Sequence, residues 1–221
     1  MRGYYLINSN RELHFQYIST ATLLENQTAT LLMEVDKMTG HYTGNPEDYT
    51  AGGMLVTHDD DGNEPGDHAI DFGLQAQCGA NLTLYNQLEL SENGLILTFF
   101  DNTSSEEGIQ MYSEFKANLD EFKSRGFGIL GINDSLPAVN MDFATSLNVD
   151  GREIIFFYDK NGKTGETYGV YTGWKTYNWG KHDIAYFIVD KGGVITFKHT
   201  GSVLENQTDI LIDQMDKLIA P

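Results

Sequence analysis

The sequence predicts an α/β fold, a mixed sheet flanked by helices, with a partial strand–strand–helix repeat in front of it. Three observations lead there. The apolar run Leu95-Ile96-Leu97-Thr98-Phe99-Phe100 has the length and content of a buried strand. After Glu106, Ile109, Tyr112, Phe115, Leu119 and Phe122 recur at spacings of three and four, the signature of an amphipathic helix. The chain then closes on strand–turn–strand–helix, and that closing pattern occurs twice.

The repetition is direct. Leu24-Glu25-Asn26-Gln27-Thr28 returns as Leu204-Glu205-Asn206-Gln207-Thr208. Upstream of it, Tyr4-Tyr5-Leu6-Ile7-Asn8 parallels Tyr186-Phe187-Ile188-Val189-Asp190, and Leu13-His14-Phe15 parallels Ile195-Thr196-Phe197. Downstream, Leu31 matches Leu211, and Asp36-Lys37 matches Asp216-Lys217. In the second copy Asp190-Lys191-Gly192-Gly193 is a turn, and Ile210, Leu211, Met215, Leu218 and Ile219 form a helical apolar face. Leu24, Leu31, Val35 and Met38 do the same in the first. A unit of this size cannot bury its own core, so it must pack on the rest of the chain, on a second copy or on a neighbouring repeat.

Residues 1–38 are therefore expected to be the tail of one repeat, and the parent protein a tandem array. Residues 39–65, rich in Gly, Asp, Asn and Pro, read as an acidic linker with a strand at Met54-Leu55-Val56-Thr57. The complete unit is expected over 66–221, with strands at Leu95–Phe100, Gly128–Ile132, Ile154–Phe157, Tyr186–Val189 and Val194–Lys198.

Charge narrows the partners. The chain carries 14 Lys and Arg against 32 Asp and Glu, formally −18. Such a surface repels phosphate backbones and anionic lipid, so nucleic-acid and membrane binding are disfavoured. No apolar run approaches the roughly 20 residues of a membrane span, and the start does not read as a secretory signal. Cys78 is the single cysteine, which excludes an intrachain disulfide framework and a CxxC pair.

Residues 66–221 resemble the redoxin branch of the thioredoxin fold, the alkyl-hydroperoxide-reductase/thiol-specific-antioxidant (peroxiredoxin-like) type. Gly66-Asp67-His68-Ala69-Ile70-Asp71-Phe72-Gly73-Leu74 is similar to that family's opening G-x-x-A-P-D-F-x-L, and Leu82-Thr83-Leu84 to its short following strand. Leu95–Phe100 matches the strand before the active site, and Gly126–Ser135 the next strand and its loop. Tyr158-Asp159-Lys160-Asn161-Gly162 with Tyr168-Gly169-Val170 resembles the family's "D … YGV" stretch. Tyr186–Ile195 is like its "tFvID-kdG-vi" hairpin.

The resemblance implies a thioredoxin-like mixed sheet and a thiolate at the first turn of the helix after the strand, where backbone N–H groups lower its pKa. The residues matched to the family's T-x-x-C are Thr103-Ser104-Ser105-Glu106. Ile184-Ala185 stand where the family has an arginine, or the thiol-disulfide members a proline. The site reads as degenerate, with no catalytic residue, no cofactor and no metal.

The expected function is thus a redox-silent redoxin-like module, a binding or assembly unit that meets a protein partner, a neighbouring repeat, or a second copy through its N-terminal partial repeat. One alternative is an antioxidant or thiol oxidoreductase using Cys78, although no Lys, Arg or His adjoins it in sequence. Another is weak divalent-cation binding. Asp59, Asp61 and Asn63 have the 1, 3, 5 spacing of a calcium loop, but Glu64 and Ile70 occupy its sixth and twelfth positions. His14, His41, His182 and His199 show no pairing pattern, and no nucleophile elbow links Ser104 or Ser105 to a histidine. Trp174 and Trp179 sit in an aromatic, glycine-containing stretch suited to loop packing or to a binding surface.

Overall fold

The computed structural model describes residues 2–7, 13–19, 35, 49–50, 53–150, 153–174 and 179–220. In chain order, β1 (Arg2–Ile7) and β2 (Leu13–Ser19) form an antiparallel hairpin, and β3 (Tyr49–Thr50) and β4 (Gly53–Met54) a shorter one. β5 (Asp61–Gly62) pairs in parallel with β6 (His68–Ala69). Next come β7 (Gly73–Ala76), β8 (Asn81–Thr83), α1 (Leu84–Leu90), β9 (Gly94–Phe99), α2 (Glu106–Ala117) and α3 (Leu119–Ser124). They lead to β10 (Phe127–Asn133), α4 (Pro137–Ser146), β11 (Ile154–Tyr158) and α5 (Lys163–Thr167). A hairpin of β12 (Tyr171–Trp174) and β13 (Trp179–His182) precedes β14 (Ala185–Asp190), β15 (Ile195–Thr200) and α6 (Gln207–Ile219).

The central sheet has seven strands in the order β15-β14-β9-β10-β11-β7-β8. β9, β10 and β11 run parallel, joined by helical crossovers, while β14, β15, β7 and β8 are antiparallel to their neighbours. This is the thioredoxin-like mixed sheet that the sequence predicts. All six residues of β9 are buried, and their side chains alternate between two cores. Leu95, Leu97 and Phe99 pack with Leu84, Leu130, Phe157 and Phe187 on one face. Ile96 faces the other, an aromatic core of Phe100, Tyr112, Phe115, Phe143 and Phe156 under α2, α4 and α6. Thr98 shares that second face fully buried, its hydroxyl 2.6 Å from that of Tyr112 and bonded to Leu130 O at 3.0 Å. Both polar groups are thereby satisfied, as burial requires.

Two sequence expectations change. The apolar face from Ile109 to Phe122 belongs to two helices. Asn118 leaves helical geometry (φ −119°, ψ 19°) and its side chain donates to Glu114 O, which ends α2 and starts α3. Ile109 is exposed, and Met111 joins Tyr112 and Phe115 in the core instead. The strand expected at 54–57 includes only Met54, because the Val56 N–H goes to the Asp71 carboxylate (2.9 Å) rather than into a ladder. In the first copy the helix expected around Leu24, Leu31 and Met38 lies outside the described residues. Among the described residues no helix is long and apolar enough to cross a membrane.

Residues 55–65 lie against the sheet domain. His58 and His68 stack at 4.0 Å between ring centroids, and Lys198 reaches Glu64 Oε1 at 2.6 Å. Asp71 anchors the same segment. Its carboxylate accepts from the backbone N–H groups of Val56, Phe72 and Tyr85, yet burial outweighs these donors and pushes its pKa up to about 6.

Two predictions follow from this packing. The Phe156 ring touches those of Phe100, Tyr112 and Phe143, so Phe156→Ala should cost about 3–5 kcal/mol in urea unfolding. For Asp71, the folded state holds a proton that the unfolded chain, with its ordinary carboxyl, has released. Stability should therefore fall as pH rises from about 4 to about 6, by at most about 3 kcal/mol, and stay lower above that window. In Asp71→Asn this contribution to the slope should vanish; urea midpoints across pH 3 to 8 check it.

Candidate functional site

The site lies where β9 ends and α2 begins, at the carboxyl ends of the parallel strands. Phe100 is fully buried and fixes the chain as it leaves the sheet, and the loop from Asp101 turns into the helix. Ser105 is the helix cap. Its hydroxyl accepts from Gly108 N at 3.2 Å and donates to Asn102 O at 2.8 Å, so both of its capacities are used. Glu106 and Glu107 fill the first turn, where the unpaired N–H groups favour negative charge. Ser104 bonds back to Asn102 Oδ1, and Thr103 faces Ser135, whose hydroxyl accepts from Thr103 N at 3.3 Å.

A cleft of about 240 Å³ opens beside this turn, walled by Asp101, Ser105, Glu107, Gln110, His182 and Ile184 among others. The structure thus brings Ser105 and Ile184 together. Thr103, Ser104 and Glu106 stand outside that wall, and Ala185 is fully buried in the sheet opposite Phe99. The helix start also has its own hydroxyl-x-x relation, from Ser105 to Gly108, two residues on from Thr103 to Glu106. A Cβ at Gly108 would come within 2.7 Å of Ser105 Oγ and 2.8 Å of the Phe100 ring. The interior of this first turn is closed to a side chain.

His182 was not expected to pair, and it does. Its Nε2–H donates to Asp159 Oδ2 at 2.9 Å, with both side chains essentially inaccessible. Asp159 also accepts from Thr164 N (3.0 Å) and Gly165 N (2.8 Å), which pins the turn into α5. The imidazole lies between the Phe99 and Tyr171 rings. Its Nδ1 is the one buried side-chain polar atom among the described residues that has no hydrogen-bond partner. Sequence offered no signal for this pair, because 23 residues separate its members and no spacing rule joins them. Burial of Asp134 near Asp101 raises its carboxyl pKa at the same end of the sheet.

Cys78 is elsewhere. It is exposed, in the turn between β7 and β8. Its neighbour Gln77 bonds to Phe156 O through its N–H and to Ile154 O through its side chain, at the amino end of β11. Strand spacings put that turn about 20 Å from the start of α2.

Two of the three residues of the cation loop have other partners. Asp61 is committed to His58, accepting from its N–H at 2.9 Å, and Asn63 Oδ1 accepts from Lys198 Nζ. Asp60, between Asp59 and Asp61, pairs with His68 at 2.7 Å. Among the described residues no group of three or more His, Cys, Asp or Glu is placed to hold a metal ion. Trp174 and Trp179 face each other in the β12–β13 register; their side chains lie outside the described residues.

Comparison with known proteins agrees with this architecture. The chain resembles peroxidoxin BcpB of Mycobacterium tuberculosis, with a TM-score of 0.63 and 18% identity over 71% of this chain and 99% of that one. A thiol peroxidase of Chromobacterium violaceum gives 0.59 at 14% identity, covering 75% and 98%. The bacterioferritin comigratory protein of Xanthomonas campestris, described for its alkyl peroxide reduction activity, gives 0.57 at 16%, covering 66% and 90%. At these identities the likeness is one of fold. No curated protein sequence matches the chain. The profile of the AhpC/TSA family, however, matches residues 65–198, well over half of the sequence, and the chain belongs to that family.

Proposed function

We propose that this protein is a redox-silent member of its family, a binding or assembly module rather than a peroxidase. The observation that carries the reading is the start of α2. Peroxide reduction needs a thiolate there, attacking the O–O bond and becoming a sulfenic acid. Here the helix opens on Ser105-Glu106-Glu107-Gly108, whose cap hydroxyl is doubly bonded and whose third residue has no room for a side chain. A carboxylate suits the dipole but cannot be oxidised to sulfenate or form a disulfide.

Cys78 does not compensate. Its thiol is exposed in the turn between β7 and β8, three strands across the sheet from β9, and is not among the residues that wall the cleft. What the cleft retains is recognition chemistry: carboxylates at Asp101 and Glu107, the amide of Gln110, and a buried imidazole held by Asp159. Those groups bind and orient; none is a redox centre. The Asp159–His182 pair then has a positioning role, fixing the cleft wall and the turn into α5.

Purified protein is expected to show no peroxide or disulfide turnover, with Cys78→Ser indistinguishable from the parent. Turnover that disappears when Cys78 is blocked would make this a one-cysteine redoxin instead. Asp159→Ala should lower stability by about 3–5 kcal/mol, since it strands two backbone N–H groups and a buried imidazole. His182→Asn, which leaves Asp159 its two backbone N–H donors, should cost less; paired urea melts measure the difference.

A further inference from the structure

The hairpin β1–β2 and the hairpin β14–β15 share one register, including its irregularity. Leu6 pairs with Phe15 and Ile7 with Leu13, with a bulge between them that skips His14. Ile188 pairs with Phe197 and Val189 with Ile195, with a bulge that skips Thr196. Each of these residues is offset from its counterpart by 182 positions, in agreement with the sequence match. A bulge is a specified feature of a strand pair, so its recurrence at the same place marks two copies of one element.

The second copy shows what such an element is built to meet. The outer edge of β14 is covered by β9, antiparallel, from Ala185 against Phe99 to Asp190 against Gly94. The residues repeated identically in sequence serve that docking. Gln207 accepts from the Tyr186 hydroxyl and donates to Met111 O of α2, and Thr208 donates to Glu114 of α2 through both N–H and hydroxyl. Tyr4, Gln27 and Thr28 are their counterparts in the first copy. Yet among the described residues β1 is paired with β2 alone.

We infer that the outer edge of β1 is a docking edge for a redoxin-type strand–helix unit on another polypeptide segment, taken up antiparallel as β14 takes β9. The strand–helix unit of this chain is already filled by its own β14 and α6. A second copy of the chain offers the same filled site, so the occupant is a redoxin unit that lacks its closing hairpin. The mode is strand addition, with main-chain bonds supplying affinity and the alternating side chains supplying choice.

The test reads amide exchange on the intact chain, with light scattering to give its mass, and then a graft. In the isolated chain the outward amides of β1 should exchange at least about a hundredfold faster than those of β14. Equal protection in a monomer would mean that the chain covers its own edge and would overturn the assignment. Equal protection in a dimer would give the edge to a second copy, overturning it likewise. In the graft, residues 3–39 replace 185–219; a single cooperative melt with the grafted strand protected supports interchangeability. Should that protein not fold, the equal-length graft of 3–19 for 185–201 decides. A folded domain with the new strand protected against β9 sustains the inference, and loss of fold in that graft too defeats it.

Discussion

The structure depends on β9 being buried on both faces and paired on both edges. Its six residues meet β10 in parallel and β14 antiparallel, and no side chain among them reaches solvent. That constraint selects the residues: branched aliphatics and an aromatic to fill two cores, and one Thr98 whose hydroxyl is bonded on the spot. It also fixes the rest of the order. A strand covered on both faces needs helices on either side, and the parallel step to β10 needs a helical crossover, which α2 and α3 supply. The end of such a strand delivers the chain to one place at the carboxyl edge of the sheet, the usual position for a site in folds of this kind.

At that place structural and chemical demands separate. The helix start must satisfy its N–H groups, and Ser105 does so with a hydroxyl bonded on both sides. Nothing in that requirement calls for sulfur. The buried Asp159–His182 pair is a similar case of local satisfaction. The carboxylate gathers two backbone donors and the imidazole N–H, so a charge taken out of water has partners on every side. Among the described residues only His182 Nδ1 is a buried side-chain polar atom without a partner, and His182 lines the cleft beside the start of α2.

How much of this the sequence disclosed follows from the range of each interaction. β9 was legible because an uninterrupted apolar run bounded by turn residues has few other readings. The closing hairpin was legible from its turn and from the echo in the first copy, where the pattern is local and repeated. The break at Asn118 was not, because the apolar spacing runs straight through it and the cap bond to Glu114 O outweighs the periodicity. Strand character at 55–57 failed for a comparable reason: Val56 spends its N–H on Asp71, fifteen residues away. The start of α2 was legible from the strand before it, but the His182–Asp159 pair was invisible. Asp159 follows the end of β11 and His182 ends β13, and only the fold brings them together.

The fold holds without a cysteine at the start of α2. Side-chain bonds tie β9, β14, α2 and α6 together: Thr98 to Tyr112, Gln207 to Tyr186 and Met111, Thr208 to Glu114. The capped turn at Ser105–Gly108 is held by its own local bonds and takes no part in these. The same bonds tie hairpin, helix and sheet into one unit, whose sequence pattern is echoed near the front of the chain. Tyr186, Gln207 and Thr208, which make those bonds, recur in sequence as Tyr4, Gln27 and Thr28, and no cysteine stands at the start of α2.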